Sequence, residues 1–388
     1  MSAGVDPSVD PGVAPGVAAD VDLLLETVES YAVAAGRRLF GEESPDGDLE
    51  ALGDLLHDAA TIGLLADVDE DAGHWAVWGG HADDLGAALS LAVLRRIGRT
   101  CAGLAAAVHA QGIGVRLLGG ATPAALPAGA RIAAAFCPPY GLALDPRTAG
   151  DGMRLDGGRL TGSARFALAA GAAEAVVVLA RDGDSVVLLC LPADTPGLRL
   201  VPSGSRIGLR AVTMLDVVAD GVAVPAGARH ATGPAADDLV RTTVAADWLG
   251  QAAIALGCAE QAIATAREYT RARVQGGVPI AEHAAVRLLL SRAEHDAAVV
   301  AAVLERHAGT PVRRLDPGSF LRWALDARLA AGEHAGRAVT DALQTLGGYG
   351  YMDEYGLSKR LRDVTALRVL HGGPDQLLLA RDDLGAAS

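Results

Sequence analysis

The chain has 388 residues, enough for more than one packed unit, and its formal charge of −14 excludes the cationic surface that nonspecific binding to nucleic acid or anionic membrane needs. Hydrophobic residues make up 51% and mean hydropathy is +0.27. No uninterrupted apolar stretch reaches the roughly 20 residues of a membrane span, so a soluble, cytoplasmic protein is expected.

Aromatics are only 4%, which leaves Ala, Leu and Val to build the core and suits closely packed helices. Residues 1–18 mix Gly, Pro, Val and Asp, with no cationic region ahead of an apolar stretch. They resemble neither a secretory signal nor a basic arm, and disorder is expected there. A helical unit is expected over 19–128. Leu23, Leu24 and Val28 form one apolar stripe, Leu52, Leu55, Leu56 and Ile62 another, and 85–97 a third, while 103–118 is nearly apolar. Over 129–230 the pattern changes to short apolar runs between turn residues. Asp156-Gly157-Gly158 and Arg181-Asp182-Gly183-Asp184 are hairpin signals, so this is read as an antiparallel β domain forming a sandwich or barrel. Helical patterns return over 231–388, at 237–272, 280–308 and 318–346 and again after Gly373-Pro374. Asp237 and Asp238 suit a first helical turn, and Pro374 suits a first helical position.

The cysteines, Cys101, Cys137, Cys190 and Cys258, show no metal-ligand or redox-motif spacing and read as buried free thiols. His57, His109, His283, His295, His307 and His334 are scattered at no ligand spacing, so no metal site is expected. No nucleophile elbow or phosphate loop is evident. Asp247 lies in the apolar run Val244-Ala245-Ala246-Asp247-Trp248-Leu249, where an ionised carboxylate is costly unless it is paired or its pKa is raised.

Near the C-terminus runs Gln344-Thr345-Leu346-Gly347-Gly348-Tyr349-Gly350-Tyr351, then Arg362-Asp363, then Val369-Leu370-His371-Gly372-Gly373. Earlier come Leu256-Gly257-Cys258-Ala259, Tyr269-Thr270-Arg271-Ala272-Arg273-Val274-Gln275-Gly276-Gly277-Val278-Pro279-Ile280 and His283, and the β region closes with Asp220-Gly221-Val222-Ala223-Val224-Pro225. In order and spacing these segments resemble the acyl-CoA dehydrogenase family, over most of the chain after about residue 20. The resemblance implies an α+β fold with an N-terminal helical domain, a central antiparallel β domain and a C-terminal four-helix bundle. It also implies FAD as cofactor and α,β-dehydrogenation of an acyl thioester on CoA or a carrier protein.

Carried over residue by residue, it proposes Arg273 and Gln275 for the pyrophosphate and ribose side of FAD, and Gln344, Gly347 and Gly348 for the adenine side. A guanidinium forks onto phosphate, and glycines let backbone N–H groups approach an anion. Phe166, Leu168 and Gly373 fall on the flavin-ring side. There, however, Phe166-Ala167-Leu168-Ala169 replaces the family's Trp-Ile-Thr-Asn, and Phe136-Cys137-Pro138-Pro139-Tyr140-Gly141 replaces its hydroxyl- and glycine-rich loop. The residue before the last glycine pair is often the catalytic glutamate, and here it is His371. A second family position for the base, counted back from Gly257, falls on Asp247.

Asp247 is preferred as the base and His371 comes second. His74, Trp75 and Trp78 stand where relatives border the substrate channel, as lining or as loop anchors. The altered loops imply a specialised substrate, as in secondary metabolism. Because relatives build the FAD site across subunits, a homodimer or homotetramer is expected. Two rival readings are a noncatalytic half-site subunit completed by a paralogous partner, and a flavin-independent enzyme reusing the fold for acid/base chemistry.

Overall fold

A computed structural model of the chain describes residues 15–40, 49–67, 75–119, 126, 129–136, 152–225 and 227–386. The first helical unit contains α1 (Pro15–Leu39), α2 (Leu49–Thr61), the short α3 (His81–Leu85), α4 (Ala88–Thr100) and α5 (Ala102–Leu117). Helix α1 thus begins inside the stretch expected to be disordered, and residues 1–14 lie outside the described residues. Apart from Val115 and Arg116, every residue of α5 is buried, as its nearly apolar sequence requires.

Eight strands follow: β1 (Ile132–Ala135), β2 (Met153–Asp156), β3 (Arg159–Ala169), β4 (Ala175–Asp182), β5 (Ser185–Pro192), β6 (Leu198–Pro202), β7 (Thr213–Ala223) and β8 (Arg229–Thr232). They form one sheet in the order β6-β7-β3-β1-β4-β5-β8, with β2 beside β3 and β4. Both expected hairpins are present. Gly157 and Gly158 take positive φ between β2 and β3, and Gly183 does so between β4 and β5. The sheet is antiparallel except for β1 along β4 and a single β2–β4 bridge. Side chains of β4 alternate between two cores. Ala175, Val177 and Leu179 face the helices, whereas Val176, Val178 and Ala180 face a second cluster with Leu155, Leu160 and Val217. Burial on both faces explains why the strand reads as one continuous apolar run.

The helical C-terminal region is organised around α6 (Pro234–Ala272), with Pro234 at its first position after Gly233. Around it pack α7 (Ala284–Glu305), α8 (Pro317–Ala330), α9 (Gly336–Thr345) and α10 (Leu357–Val369), and α11 (Pro374–Ala386) packs on α8. A π-helical turn at Ala331–Ala335 joins α8 to α9. Helix α10 is additional to the helices expected from sequence. Its polar run Lys359, Arg360, Arg362 and Asp363 hides any apolar stripe. Residues 243–259 of α6 are buried on every side, and small residues let its neighbours close in. A Cβ at Gly257 would overlap the Arg95 carbonyl of α4, and one at Gly98 would press on Ile254. Cys101, Cys190 and Cys258 are buried free thiols, and burial pushes the latter two up to about 11. Cys137 lies outside the described residues.

Candidate active site

Asp247 faces inward from the middle of α6 and is 1% exposed. Three donors meet its carboxylate. His109 Nε2 of α5 lies 3.1 Å from Oδ1, while His371 Nδ1 at 2.7 Å and Gln251 Nε2 at 2.7 Å reach Oδ2. Gln251 is one helical turn beyond Asp247, so the two share a face. His371 lies in the short connection between α10 and α11, at φ 52 in the turn that Gly372 and Gly373 continue. Its Nε2 lies 3.1 Å from the Phe166 carbonyl, and Phe136 packs edge-on against its ring at 5.4 Å. Both candidate bases are therefore in one cluster, bonded to each other.

The charges follow from these partners. Burial alone would raise the Asp247 pKa, but the charge of His371 and the hydrogen bonds from His109 and His371 outweigh it and hold the carboxyl far below its usual range. Burial works against a charged His371, yet the Asp247 charge, the Asp247 hydrogen bond and the Phe166 carbonyl together raise its pKa above 6.5. Each His371 nitrogen faces an acceptor, so the ring sits here as an imidazolium. Gln251 Nε2 also lies 3.3 Å from His371 Nδ1, but that nitrogen's proton points to Asp247 and the contact is proximity only. Gln251 Oε1 is buried with no partner among the described residues.

The turn that carries His371 is fixed from behind. Arg328 of α8, 2% exposed, donates through Nη2 to the carbonyls of Leu367, in the last turn of α10, and of Leu370, its C-cap. Burial lowers its pKa to about 10, against the opposing pull of Asp247, so it stays charged at neutral pH. Among the described residues, the non-glycine residues with positive φ are Trp78, Phe166, Leu209 and His371. Such backbone costs about 1–3 kcal/mol per residue and tends to gather at functional sites. Trp78, Phe166 and His371 all touch this cluster.

The expected FAD residues divide into two groups. Arg273 and Gln275 follow α6, and Arg273 stacks over the Tyr349 ring at 5.8 Å, which brings the two adenosine-side segments together within one chain. Arg273, Gln275, Gln344, Gly347 and Gly348 are all exposed, Gly347 has φ 58, and a Cβ at either of these glycines would meet open space. On the ring side, Phe166 is 41% exposed at an irregularity of the β3–β7 ladder. Leu168 does not fit its expected place. At 4% exposed it belongs to the helix-facing core, because its position in β3 turns the side chain inward. Gly373 offers its N–H to Gln376 Oε1 at 3.0 Å. The expected loop at 137–145 and His74 lie outside the described residues.

Sequence reasoning missed the part played by His109 and Gln251, and it placed Trp78 as channel lining or a loop anchor. Trp78 is 3% exposed, and its indole Nε1–H donates to His109 Nδ1 at 2.9 Å. Among the described residues no group of three or more His, Cys, Asp or Glu could hold a metal ion, and no helix is long and apolar enough to cross a membrane.

The helical–β–helical order, with a buried acid–base pair where the bundle meets the sheet, defines an acyl-CoA dehydrogenase type of fold. Residues 238–381 match the family model described as "Acyl-CoA dehydrogenase, C-terminal domain". That stretch carries the family's C-terminal domain. Among curated relatives, the short-chain-specific acyl-CoA dehydrogenase of Megasphaera elsdenii is 29% identical over 223 residues, 55% of this chain and 56% of the relative. The chain thus spans about half the length of the curated relatives it matches. The fold extends further. A glutaryl-coenzyme A dehydrogenase complex superposes with a TM-score of 0.78 at 18% identity, covering 97% of each chain. A prolyl acyl carrier protein oxidase does so at 0.75 and 19%, covering 94% of this chain and 98% of the other.

Proposed function

We propose that the protein is an FAD-dependent oxidoreductase that dehydrogenates an acyl thioester between its α and β carbons, the acyl group being carried by CoA or a carrier protein. The observation that carries this reading is the joining of Asp247 and His371, 124 residues apart in sequence, at the two positions where the family places its base. The match of residues 238–381 to the family's C-terminal domain and similarity to proteins that act on both kinds of carrier support the substrate class. The departures at 136–145 and 166–169 favour a specialised substrate, as in secondary metabolism.

The residues present fit FAD on the adenosine side. Arg273 forms no ion pair among the described residues, Gln344 is exposed, and Gly347 and Gly348 present backbone without a Cβ to open space. A guanidinium with bare N–H groups is a donor set for a pyrophosphate. Phe166 and the His371 turn would border the ring. When bound, FAD supplies the hydride acceptor for the β-carbon.

The chain's own residues handle the other hydrogen. His371, in its neutral form, takes the α-proton at Nε2, the nitrogen turned away from Asp247. Asp247 holds the ring through Nδ1 and compensates the charge that develops on it. This reverses the preference for Asp247 as the base, because a buried carboxylate that already holds three donors has little basicity to offer. Exposure of both adenosine-side segments fits a site completed by a second copy, so a homodimer or homotetramer in the cytoplasm is part of the proposal.

The test is the visible absorption spectrum of the purified protein after incubation with FAD and removal of the excess. A retained flavin spectrum, bleached by an acyl thioester substrate, is the expected result. A protein that takes up no FAD in its assembled form would sink the oxidoreductase reading.

A further inference from the structure

His109 reaches Asp247 from the far side of the carboxylate, and its own second nitrogen is committed. An indole N–H can only donate, so the Trp78 bond requires His109 Nδ1 to be an acceptor. His109 therefore carries its proton on Nε2 and gives that hydrogen bond to Asp247 Oδ1. A second proton on Nδ1 would point straight at the indole N–H. The arrangement is specifically accommodated by the fold. A Cβ at Gly250 of α6 would overlap the His109 ring, and one at Gly112 of α5 would overlap the Val77 carbonyl and press on the Trp78 ring. Trp78 itself sits at φ 61, with its backbone N–H held by Ser90 Oγ at 2.9 Å.

We propose that Trp78 and His109 are positioning residues that make the Asp247 relay one-sided: Trp78 locks His109 as a neutral donor, so the protonic charge paired with Asp247 can reside only on His371. The role given to His371 rests on the reading above, whereas the lock concerns the resting protein alone. Among the described residues, the charged or titratable groups facing the relay are His109 from α5, Asp247 from α6, Arg328 from α8 and His371 before α11, while β3 contributes the Phe166 carbonyl. His81 meets the network through Ser90 Oγ, at 3.2 Å. With Arg328 fixed as a cation, a second cation at His109 would compete with His371 for the same carboxylate.

The test uses histidine-¹⁵N-labelled full-length protein without substrate, so that its failure is distinct from failure of the dehydrogenase reading. In the wild type the His109 nitrogens should keep the Nε2–H pattern throughout the pH range in which His371 titrates. In Trp78→Phe, which keeps a ring but loses the N–H, His109 should take up a second proton and the His371 midpoint should fall by on the order of one pH unit. His109→Gln offers an amide N–H to Asp247 and a carbonyl to Trp78, and should keep the His371 midpoint near the wild-type value. A role in packing alone would lower stability in Trp78→Phe without moving either signal. Unchanged histidine titrations in Trp78→Phe, or a His371 midpoint displaced as far in His109→Gln as in Trp78→Phe, would overturn the proposal.

Discussion

Asp247 accepts from His109, His371 and Gln251, and an anion so well satisfied has little drive to take a proton. His371, once neutral, has at Nε2 a lone pair that can turn from the Phe166 carbonyl to a substrate hydrogen. Asp247→Asn is accordingly expected to reduce kcat by about 10- to 100-fold and to move the acid limb of the pH profile downward, since His371 loses the charge that raises its pKa. His371→Gln is expected to cost more, on the order of 10²- to 10⁴-fold, the usual range for a lost general base. An inactive Asp247→Asn beside an active His371→Gln, read from kcat against pH, would restore Asp247 as the base. The pair also ties stability to pH. His371, raised above 6.5, stabilises the fold fully below that value and loses the contribution as pH rises through its folded pKa. Asp247, lowered from 3.8, contributes above that value and loses it as pH falls. The pair's contribution is therefore fullest between those two values.

Among the elements, the crossing of α4 and α6 depends most on a single atom. Gly257→Ala would drive a methyl group into the Arg95 carbonyl, and Gly98 leaves no slack on the opposing surface. Overpacking of this kind costs about 1–3 kcal/mol, so the thermal midpoint of the variant should drop by several degrees. An unchanged midpoint would mean that the helices separate more readily than their buried backbones imply. The same elements mark what the sequence makes legible. The two hairpins were readable because Gly157, Gly158 and Gly183 need conformations that other residues resist, and long helices were readable from spacing and from Gly and Pro at their ends. The parallel pairing of β1 with β4 was not, since nothing local to 132–135 names a partner 43 residues on. His109 was passed over because a histidine within an apolar helix looks like a core residue. Its partner lies 138 residues away, and only folding brings them together. The Asp247 signal, a carboxylate in an apolar run, was legible, but whether it acts or supports another group depended on neighbours that the run does not contain.

Across the whole molecule, the β domain is tied to the bundle at Asp363 of α10. Its Oδ1 accepts from the Leu209 N–H at 2.7 Å, and its Oδ2 holds Lys359 at 2.5 Å beneath the Phe40 ring. A Cβ at Gly208 would overlap the Arg362 carbonyl, so chain and helix meet backbone to backbone. Burial works against the Lys359 charge, but Cys101 and Asp363 hold its ammonium above the ordinary lysine range. Lys359 is the only lysine of the chain, every other cationic side chain of fixed charge being arginine, and it is 9% exposed. The folded surface among the described residues therefore offers amine-directed acylating reagents no lysine target. Lys359 should acquire a label, detected by mass spectrometry, only as fast as α10 parts from the sheet, and faster in Asp363→Asn. Prompt labelling of the native protein would refute this. A chain whose single side-chain amine is sealed at the seam between its two halves carries its own chemical stopwatch for their separation.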